Sequence, residues 1–534
     1  MKTFPKSILL FFILFIVAPR ILSAQKAPEI QWQKCLGGTY SEDPDLSQFS
    51  IILQTTDGGY VVAGRAVTND GDISGNHGRD DAWIVKLNSL GKIQWQKCLG
   101  GSLTENASCV IQTSDNGFAI AGFSGSNDGD VTGMHGLIDA WVVKLDISGN
   151  IEWQKCLGGS GFEIAYSIVQ TSDGGYAIGG DANSADGDVS RNLGSEDAWV
   201  VKLNSSGEME WEKSLGGSGS DNVNSIIQTS DGGYAVAGFT TSAEEPRFNH
   251  GKKDAFIVKL DSTGKELWEK LIGGPGNDVA NSILQTSDGG YIFAGNQNGD
   301  FFTLTGDAWI VRLDSIGSIL WEKKLGGSNG DAASTIIHTV DGGYALVGTT
   351  NSYDGDVSGK HRGIDDSTDI WVLKLSSSGA IEWQKCLGGY LSDYGFGIAQ
   401  TTDDGYIVSG ITYSYNGDVS GNHNSLDRYS DDIWVVKLRG TKNKVALHNA
   451  DQTSVLSAFP NPSFDQLQLQ ISSSHSVKQI LFFDVMGVQY FPEYQLESTI
   501  ATVDLHTFPT GSFVARVVYL DQEQTQVQKF LHYR

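Results

Sequence analysis

The heptapeptide IQWQKCL, Ile30–Leu36, decides the fold. It returns as IQWQKCL at Ile93–Leu99, as IEWQKCL at Ile151–Leu157 and Ile381–Leu387, and in looser form as MEWEKSL at Met209–Leu215. Each later copy ends a repeated unit, whereas the first has no unit before it. The units are marked by a second element, DGGY or a close variant, ending at Tyr60, Phe118, Tyr176, Tyr234, Tyr291, Tyr344 and Tyr406, with a spacing of 53 to 62 residues. Within one unit, Ser167–Leu215, four short apolar and β-branched runs (SIVQT, YAIGG, AWVVKL, MEWEKSL) are separated by Gly, Asp, Asn and Ser, the pattern of short antiparallel strands and tight turns. Helical periodicity is absent. The last unit stops after a third-type strand, IWVVKL at Ile433–Leu438, so the orphan first strand supplies what the last unit lacks. Seven four-stranded units closed by such a dovetail predict an all-β chain whose residues 25–440 form a seven-bladed β-propeller, with no open sheet edge between first and last blades.

Residues 1–24 place Lys2 and Lys6 before an apolar run, Ile8–Ala18, and end on small residues. This is the layout of a secretory signal peptide, and the run is too short to span a bilayer. The remainder is expected to carry no transmembrane segment. The formal charge of the 534-residue chain is −26, which argues against nucleic acid and anionic lipid as partners. Cys35, Cys98, Cys156 and Cys386 occupy the same repeat position in separate units, too far apart to pair. Only Cys98 with Cys109 is close enough in sequence to be arguable.

The recurring DGG reads as the turn between first and second strands, because Asp followed by glycines supplies side-chain-to-backbone bonding and positive φ. It partly resembles the Asp-box turns of sialidase-type propellers but lacks their following hydroxyl and aromatic residues. Function is expected on the opposite face, which receives the long second-to-third loops. Five of these loops carry paired carboxylates one residue apart or their near equivalent: Asp70 and Asp72, Asp128 and Asp130, Asp186 and Asp188, Asp354 and Asp356, and Asp418 alone after Asn416. Hard oxygen donors on a tightly turning backbone suit Ca²⁺, the one cofactor the sequence suggests; capping of the loop by the same residues is the alternative. A second set follows each LGG: Glu42, Glu105, Glu163, Asp221, Asp278, Asp331 and Asp393. Leading into the innermost strands, these seven are expected either to ring the mouth of the central channel as a ligand-binding set or to cap their own loops. The Asp opening each third strand (Asp81, Asp139, Asp197, Asp254, Asp307, Asp369, Asp432) is expected to hold the long loop, and His77, His135, His250, His361 and His423 are weak metal candidates. No HExxH, CxxC or P-loop pattern and no GxSxG nucleophile elbow is present, the GGSNG of Gly326–Gly330 being one of the repeated LGG connections, which does not exclude a glycosidase or lyase working through carboxylates.

A polar linker, residues 441–454, ends the repeat, and residues 455–534 read as about seven strands of a small Ig-like β-sandwich. Here Pro460, Asn461 and Pro462, the FDVMG around Asp484 and Gly487, the VDLHTFPTGSFVARV with Gly511 and Arg516, and the terminal stretch from Lys529 resemble the type IX secretion system C-terminal sorting domain, type A, of Bacteroidota. Phe459 stands where that family often has Tyr, and Met486 where Leu is commoner. The resemblance implies recognition by the type IX secretion machinery, passage through the periplasm and outer membrane, then release or anchoring at the cell surface. The repeats themselves resemble DGGY…DAW repeats of secreted bacterial and archaeal proteins. The expected function is a secreted or surface-anchored, non-catalytic binding protein presenting an acidic loop face to an extracellular glycan or protein. An extracellular polysaccharide hydrolase or lyase is the second reading, and a purely structural surface protein the third.

Overall fold

The structure is a computed structural model, which describes residues 26–39, 51–244, 249–299, 305–364, 367–423, 431–440 and the strand segments lying between 457 and 532. The signal-peptide and linker assignments, residues 1–24 and 441–454, fall outside the described residues, as does Glu42. Among the described residues every regular element is a strand, and no helix is long and apolar enough to cross a membrane. Contacts divide the chain into Met1–Lys442 and Asn443–Arg534.

The first unit is a seven-bladed β-propeller of four-stranded antiparallel sheets. Blade three shows the plan: Glu163–Gln170, Tyr176–Ala182, Asp197–Leu203 and Met209–Leu215 pair in that order. Third strands such as DAWVVKL are buried along their whole length, because a blade is covered on both faces by its neighbours. That is why they read as continuous apolar runs rather than alternating ones.

The seventh blade is completed as the orphan strand predicts. Ile30–Leu36 pairs antiparallel with Asp432–Leu438, placing Cys35 opposite Trp434 and Leu36 opposite Ile433. Leu36, Ile433 and Val435 then pack with Ile52, Val62 and Trp83 of blade one, so the closing junction is built like the others. All five cysteines are buried and unbridged.

Aromatic side chains of the outermost strands join blade to blade. Trp153 at the edge of blade two lies edge-on to Tyr176 of blade three at 5.5 Å. The same indole covers Gly207, in the turn before the fourth strand of blade three, where φ is +80° and a Cβ would lie 2.8 Å from the ring. Glycine is required there for both reasons. Trp32 repeats the contact across the closure, 5.6 Å from Tyr60 and over Gly91. Each third-strand indole in six blades is also satisfied, for example Trp199 Nε1 donating to Glu212 Oε2 at 2.8 Å and Trp434 Nε1 to Gln33 Oε1 at 2.7 Å.

The second unit contains two four-stranded antiparallel sheets. Leu467, Leu469, Ala501 and Val503 from one and Ile480, Phe482, Phe513 and Ala515 from the other share one buried cluster. Of the sorting-signal residues, Pro460, Asn461, Pro462 and Gly487 lie outside the described residues. Asp484 ends a strand opposite Phe513, Gly511 pairs with His532, Arg516 with Leu481 and Val527, and Lys529 with Val514.

Candidate functional site

Both faces of the propeller follow from the repeat. On one, the TSDGGY segments are tight turns: Thr171 N donates to Gly175 O and Gly174 N to Thr171 O, both at 2.9 Å. The residue after the Asp has positive φ, +84° at Gly174, and Asn116 and Asp404 take its place in blades two and seven. The turn Asp has a second task that its sequence context hides. Its carboxylate meets the cation of the third strand: Asp173 with Lys202 at 3.0 Å, Asp115 with Lys144 at 2.8 Å, Asp231 with Lys259 at 3.0 Å, Asp288 with Arg312 at 2.5 Å. Asp57–Lys86, Asp341–Lys374 and Asp403–Lys437 complete the series. These cations are buried, and each is tied to its blade rather than offered to a ligand. Burial opposes ionisation of Asp173, but the Thr171 hydroxyl, the Gly175 amide and Lys202 outweigh it and hold the carboxyl down at about 2.

On the loop face the acids that follow each LGG are not open to solvent. Glu105, Glu163, Asp221, Asp278, Asp331 and Asp393 are all buried, at most 2% exposed. Each takes the amide of the second glycine four residues earlier, as Gly101 N to Glu105 Oε2 at 2.7 Å and Gly217 N to Asp221 Oδ2 at 2.7 Å. Their other oxygens take further groups: Ser124 Oγ on Glu105, Ser184 N on Glu163, Asn298 N on Asp278, and the Thr240, Thr350 and Thr412 hydroxyls on Asp221, Asp331 and Asp393, where Ser242, Ser352 and Ser414 Oγ join the glycine amide on the first oxygen. The expectation of a ligand-binding ring at the channel mouth is therefore corrected for the six described members. A buried carboxylate must find hydrogen-bond donors, and the loop supplies them.

The buried acids set a pH dependence. Burial pushes the Asp393 carboxyl up to about 8, the Thr412, Ser414 and Gly389 donors resist it, and Asp369 nearby adds to it. Folded Asp393 thus keeps a proton that the unfolded chain releases near pH ~4, so stability is expected to fall as pH rises between those values and level off beyond. His361 and His423 are raised by hydrogen bonds to Asp369 and Asp432 and act in the same direction above their ordinary range. Thermal unfolding at pH 5, 7 and 9 should show a descending midpoint, and Asp393→Asn should make the descent shallower while leaving the share of Asp181, whose carboxyl burial likewise pushes up to about 8; a midpoint rising across this range would contradict the assignment.

The paired carboxylates of the second-to-third loops do not converge. The first caps the preceding LGG connection: Asp70 Oδ1 accepts from Thr39 N at 2.9 Å, and Asp128, Asp186 and Asp354 accept from Ser102, Ser160 and Ser328 N, each at 2.7 Å. The second faces the glycine before it, with Asp130, Asp188 and Asp356 accepting from Gly100, Gly158 and Gly326 N at 3.3, 3.1 and 3.2 Å. Asp72 instead meets Lys34 at 3.1 Å, and the Asp418 amide donates to Gly388 O at 2.8 Å. Two substitutions reveal the purpose. Glu244 in divergent blade four takes Ser218 N at 2.7 Å, and the neutral Asn416 in blade seven takes Tyr390 N at 2.8 Å. A longer acid and an uncharged amide both do the work of the first Asp, so the capping hydrogen bond to the LGG connection is what the repeat keeps at this position. No group of three or more His, Cys, Asp or Glu among the described residues is placed to hold a metal. These loops do not fit Ca²⁺; chelator is expected to leave the melting temperature unchanged, and a drop reversed by millimolar Ca²⁺ would restore the metal reading.

The histidines belong to the same scaffold. His77, His135, His250, His361 and His423 each put Nδ1 on the third-strand Asp at 2.7–2.8 Å. Three reach toward the next blade, with Nε2 of His135, His361 and His423 at 3.9, 3.8 and 3.7 Å from Asp188, Asp418 and Asp72. The third-strand Asp holds the loop as expected, also through backbone amides such as His135 N at 2.8 Å.

What remains unused by the scaffold is exposed apolar surface, which the sequence reading passed over. On the loop face Leu103, Leu137 and Phe162 stand out at blades one to three, and Tyr353, Tyr390 and Tyr415 at blades six and seven. The turn face exposes Leu90, Ile147 and Val340 in separate blades and Ile316 with Ile319 and Leu320 in blade five, whereas the loop-face residues neighbour one another across blade junctions: Leu137 N donates to Gly161 O beside Phe162, and Tyr390 is held by Asn416 beside Tyr415.

No protein-family model matches the chain. A 220-residue stretch is 24% identical to the regulatory protein FlaEY of Caulobacter vibrioides, covering 37% of this chain and 23% of that protein. The chain thus spans under a quarter of FlaEY. Among solved structures, PorZ of Porphyromonas gingivalis, described as an essential surface component of the type-IX secretion system, matches at 11% identity and a TM-score of 0.39 over 90% of this chain and 58% of that one. The WD40 domain of Neurospora crassa Pan2 matches at 10% identity and a TM-score of 0.42, over 76% of this chain and 95% of that one. At such scores the seven-bladed assignment stands on the strand pairing itself.

Proposed function

We propose that the chain is a secreted or cell-surface binding protein: a signal peptide at residues 1–24, a propeller whose loop face meets an extracellular glycan or protein, and an Ig-like sandwich at residues 455–534 that serves as a type IX sorting domain. The observation that carries the binding role is the asymmetry of the two faces. Every first-to-second turn is closed by an ion pair to a buried cation, while the loop face bears neighbouring exposed apolar residues that vary from blade to blade. Contiguous apolar exposure on a rigid scaffold marks contact surfaces. The export role rests on the motif residues Pro460–Pro462, Asp484, Gly487, Gly511, Arg516 and Lys529. In a bacterium with a working type IX system, deletion of Val455–Arg534 is expected to leave a folded propeller in the periplasm, and normal amounts of truncated protein at the surface would overturn the sorting role. The binding role is tested by arraying extracellular glycans and proteins against the mature chain. Saturable capture is expected, and its absence from both arrays would refute the role.

A further inference from the structure

The three exposed tyrosines among the described residues of the propeller fall at one place in the fold, the junction of blades six and seven. Tyr353, Tyr390 and Tyr415 are 52%, 41% and 48% exposed. Tyr353 precedes the Asp354–Gly355–Asp356 loop, and its hydroxyl donates to His361 O at 3.4 Å. From His361 the contacts run to Asp418 at 3.8 Å, three residues beyond Tyr415. Tyr390 touches both loops, since its amide donates to Asn416 Oδ1 at 2.8 Å and its carbonyl accepts from Ile364 N at 3.2 Å.

The repeat supplies a control at every one of these positions. Where blades six and seven have Tyr353 and Tyr415, blades one to three have Asn69, Asn127 and Ala185; where Tyr390 stands, the other connections have Thr39, Ser102, Ser160, Ser218, Pro275 and Ser328. None of the scaffold roles described above requires an aromatic ring at these places. A fourth departure adds to the three. The loop position filled by Asn76, Asn192, Asn249 and Asn422 in blades one, three, four and seven donates a side-chain hydrogen bond to a carbonyl at the end of the second strand. Blade six has Lys360 instead. Its ammonium is buried, has no hydrogen-bond partner among the described residues, and sits 3.8 Å from the centroid of the Tyr353 ring. Blade six has given up a loop-closing hydrogen bond and desolvated a cation, both costly, and what it obtains is a tyrosine braced on one face.

We infer that the blade six–seven junction is a binding platform for neutral polysaccharide, an inference that rests on the binding role proposed above. Flat, partly exposed tyrosines with a hydroxyl at the rim match a ligand that has apolar C–H faces and hydroxyl edges, and they lose little conformational freedom on binding. The chain's −26 charge and the adjacent Asp354, Asp356 and Asp418 disfavour uronate or sulfated glycans. Lys360 acts as a positioning residue for Tyr353, not as a contact to sugar.

The test is affinity electrophoresis of the full mature chain in gels containing xylan, laminarin or galactomannan, with polygalacturonate as the anionic comparison. Retardation by at least one neutral polymer is expected, weakened at least tenfold in Kd by Tyr390→Ala with Tyr415→Ala at an unchanged melting temperature. Lys360→Asn restores the repeat's own loop closure, so it is expected to keep or raise the melting temperature while weakening binding several-fold; a merely structural Lys360 would not give that opposition. Retardation that survives the tyrosine variants but is lost in Leu137→Ser with Phe162→Ser overturns this site and leaves the binding role intact. Retardation by polygalacturonate alone, or by no polysaccharide while an arrayed protein still captures the chain, likewise overturns it. Capture by nothing at all defeats the broader binding role together with this one.

Discussion

A chain lacking Gln25–Gly38 is expected to unfold at a markedly lower temperature than the intact protein and to aggregate where the intact protein does not. The missing strand is the outer strand of blade seven, paired along its length with Asp432–Leu438. With it go the fully buried Leu36, the Gln33 acceptor of the Trp434 indole, the Lys34–Asp72 ion pair and the Trp32 contact to Tyr60 across the closure. Lost burial and an unpartnered buried indole together cost on the order of 5 kcal/mol. The exposed edge of Asp432–Leu438 also offers unpaired backbone groups to a second molecule. Differential scanning calorimetry and light scattering check both effects, and a synthetic peptide spanning Gln25–Gly38 added in trans should recover part of the stability. An unchanged midpoint without added scattering would mean that the ring does not depend on the dovetail.

That closure was legible because it is a matter of counting. A lone fourth-type strand at one end and a missing one at the other can be seen in one dimension, as can the DGG turn, whose backbone demands are local. The burial of the carboxylates was not legible in the same way. Glu105 and Asp393 look like surface acids in sequence, since nothing there says that the LGG amide four residues earlier folds over them. The paired loop acids misled for a related reason: Ca²⁺ ligands and loop caps use the same residue types, and only the hydrogen bonds of the first position to the amide after each LGG show which task it has. The buried lysines were hidden by their neighbours, because a Lys near the end of AWVVKL looks like a strand running out into solvent. A usable signal was present, however. A cation at the sixth position of every third strand accompanies an Asp in every turn, and Arg312 replaces Lys in blade five without losing its Asp288 partner.

Those cations give the second large effect. Lys437 is 4% exposed at its side chain, and its ammonium meets the Asp403 oxygens, both at 3.1 Å, and Leu438 O at 2.8 Å. Burial pulls its pKa down and Asp403 resists the pull. Asp403→Ala therefore leaves a desolvated ammonium with a carbonyl for company. Removing one member of a buried pair costs about 3–5 kcal/mol, and the partial exposure of Asp403, 27%, places the expected loss near the lower end, about 3 kcal/mol. Asp128→Asn on the loop face, a change to an exposed cap that Asn416 shows to be replaceable, is expected to cost far less. The two variants differ by one carboxylate each, so denaturant titration of both isolates the buried charge as the cause. Adding Lys437→Met to Asp403→Ala removes that charge and should recover most of the loss. If the double variant is no more stable than Asp403→Ala alone, the ammonium was not the source of the penalty, and the turn Asp acts only on its own backbone.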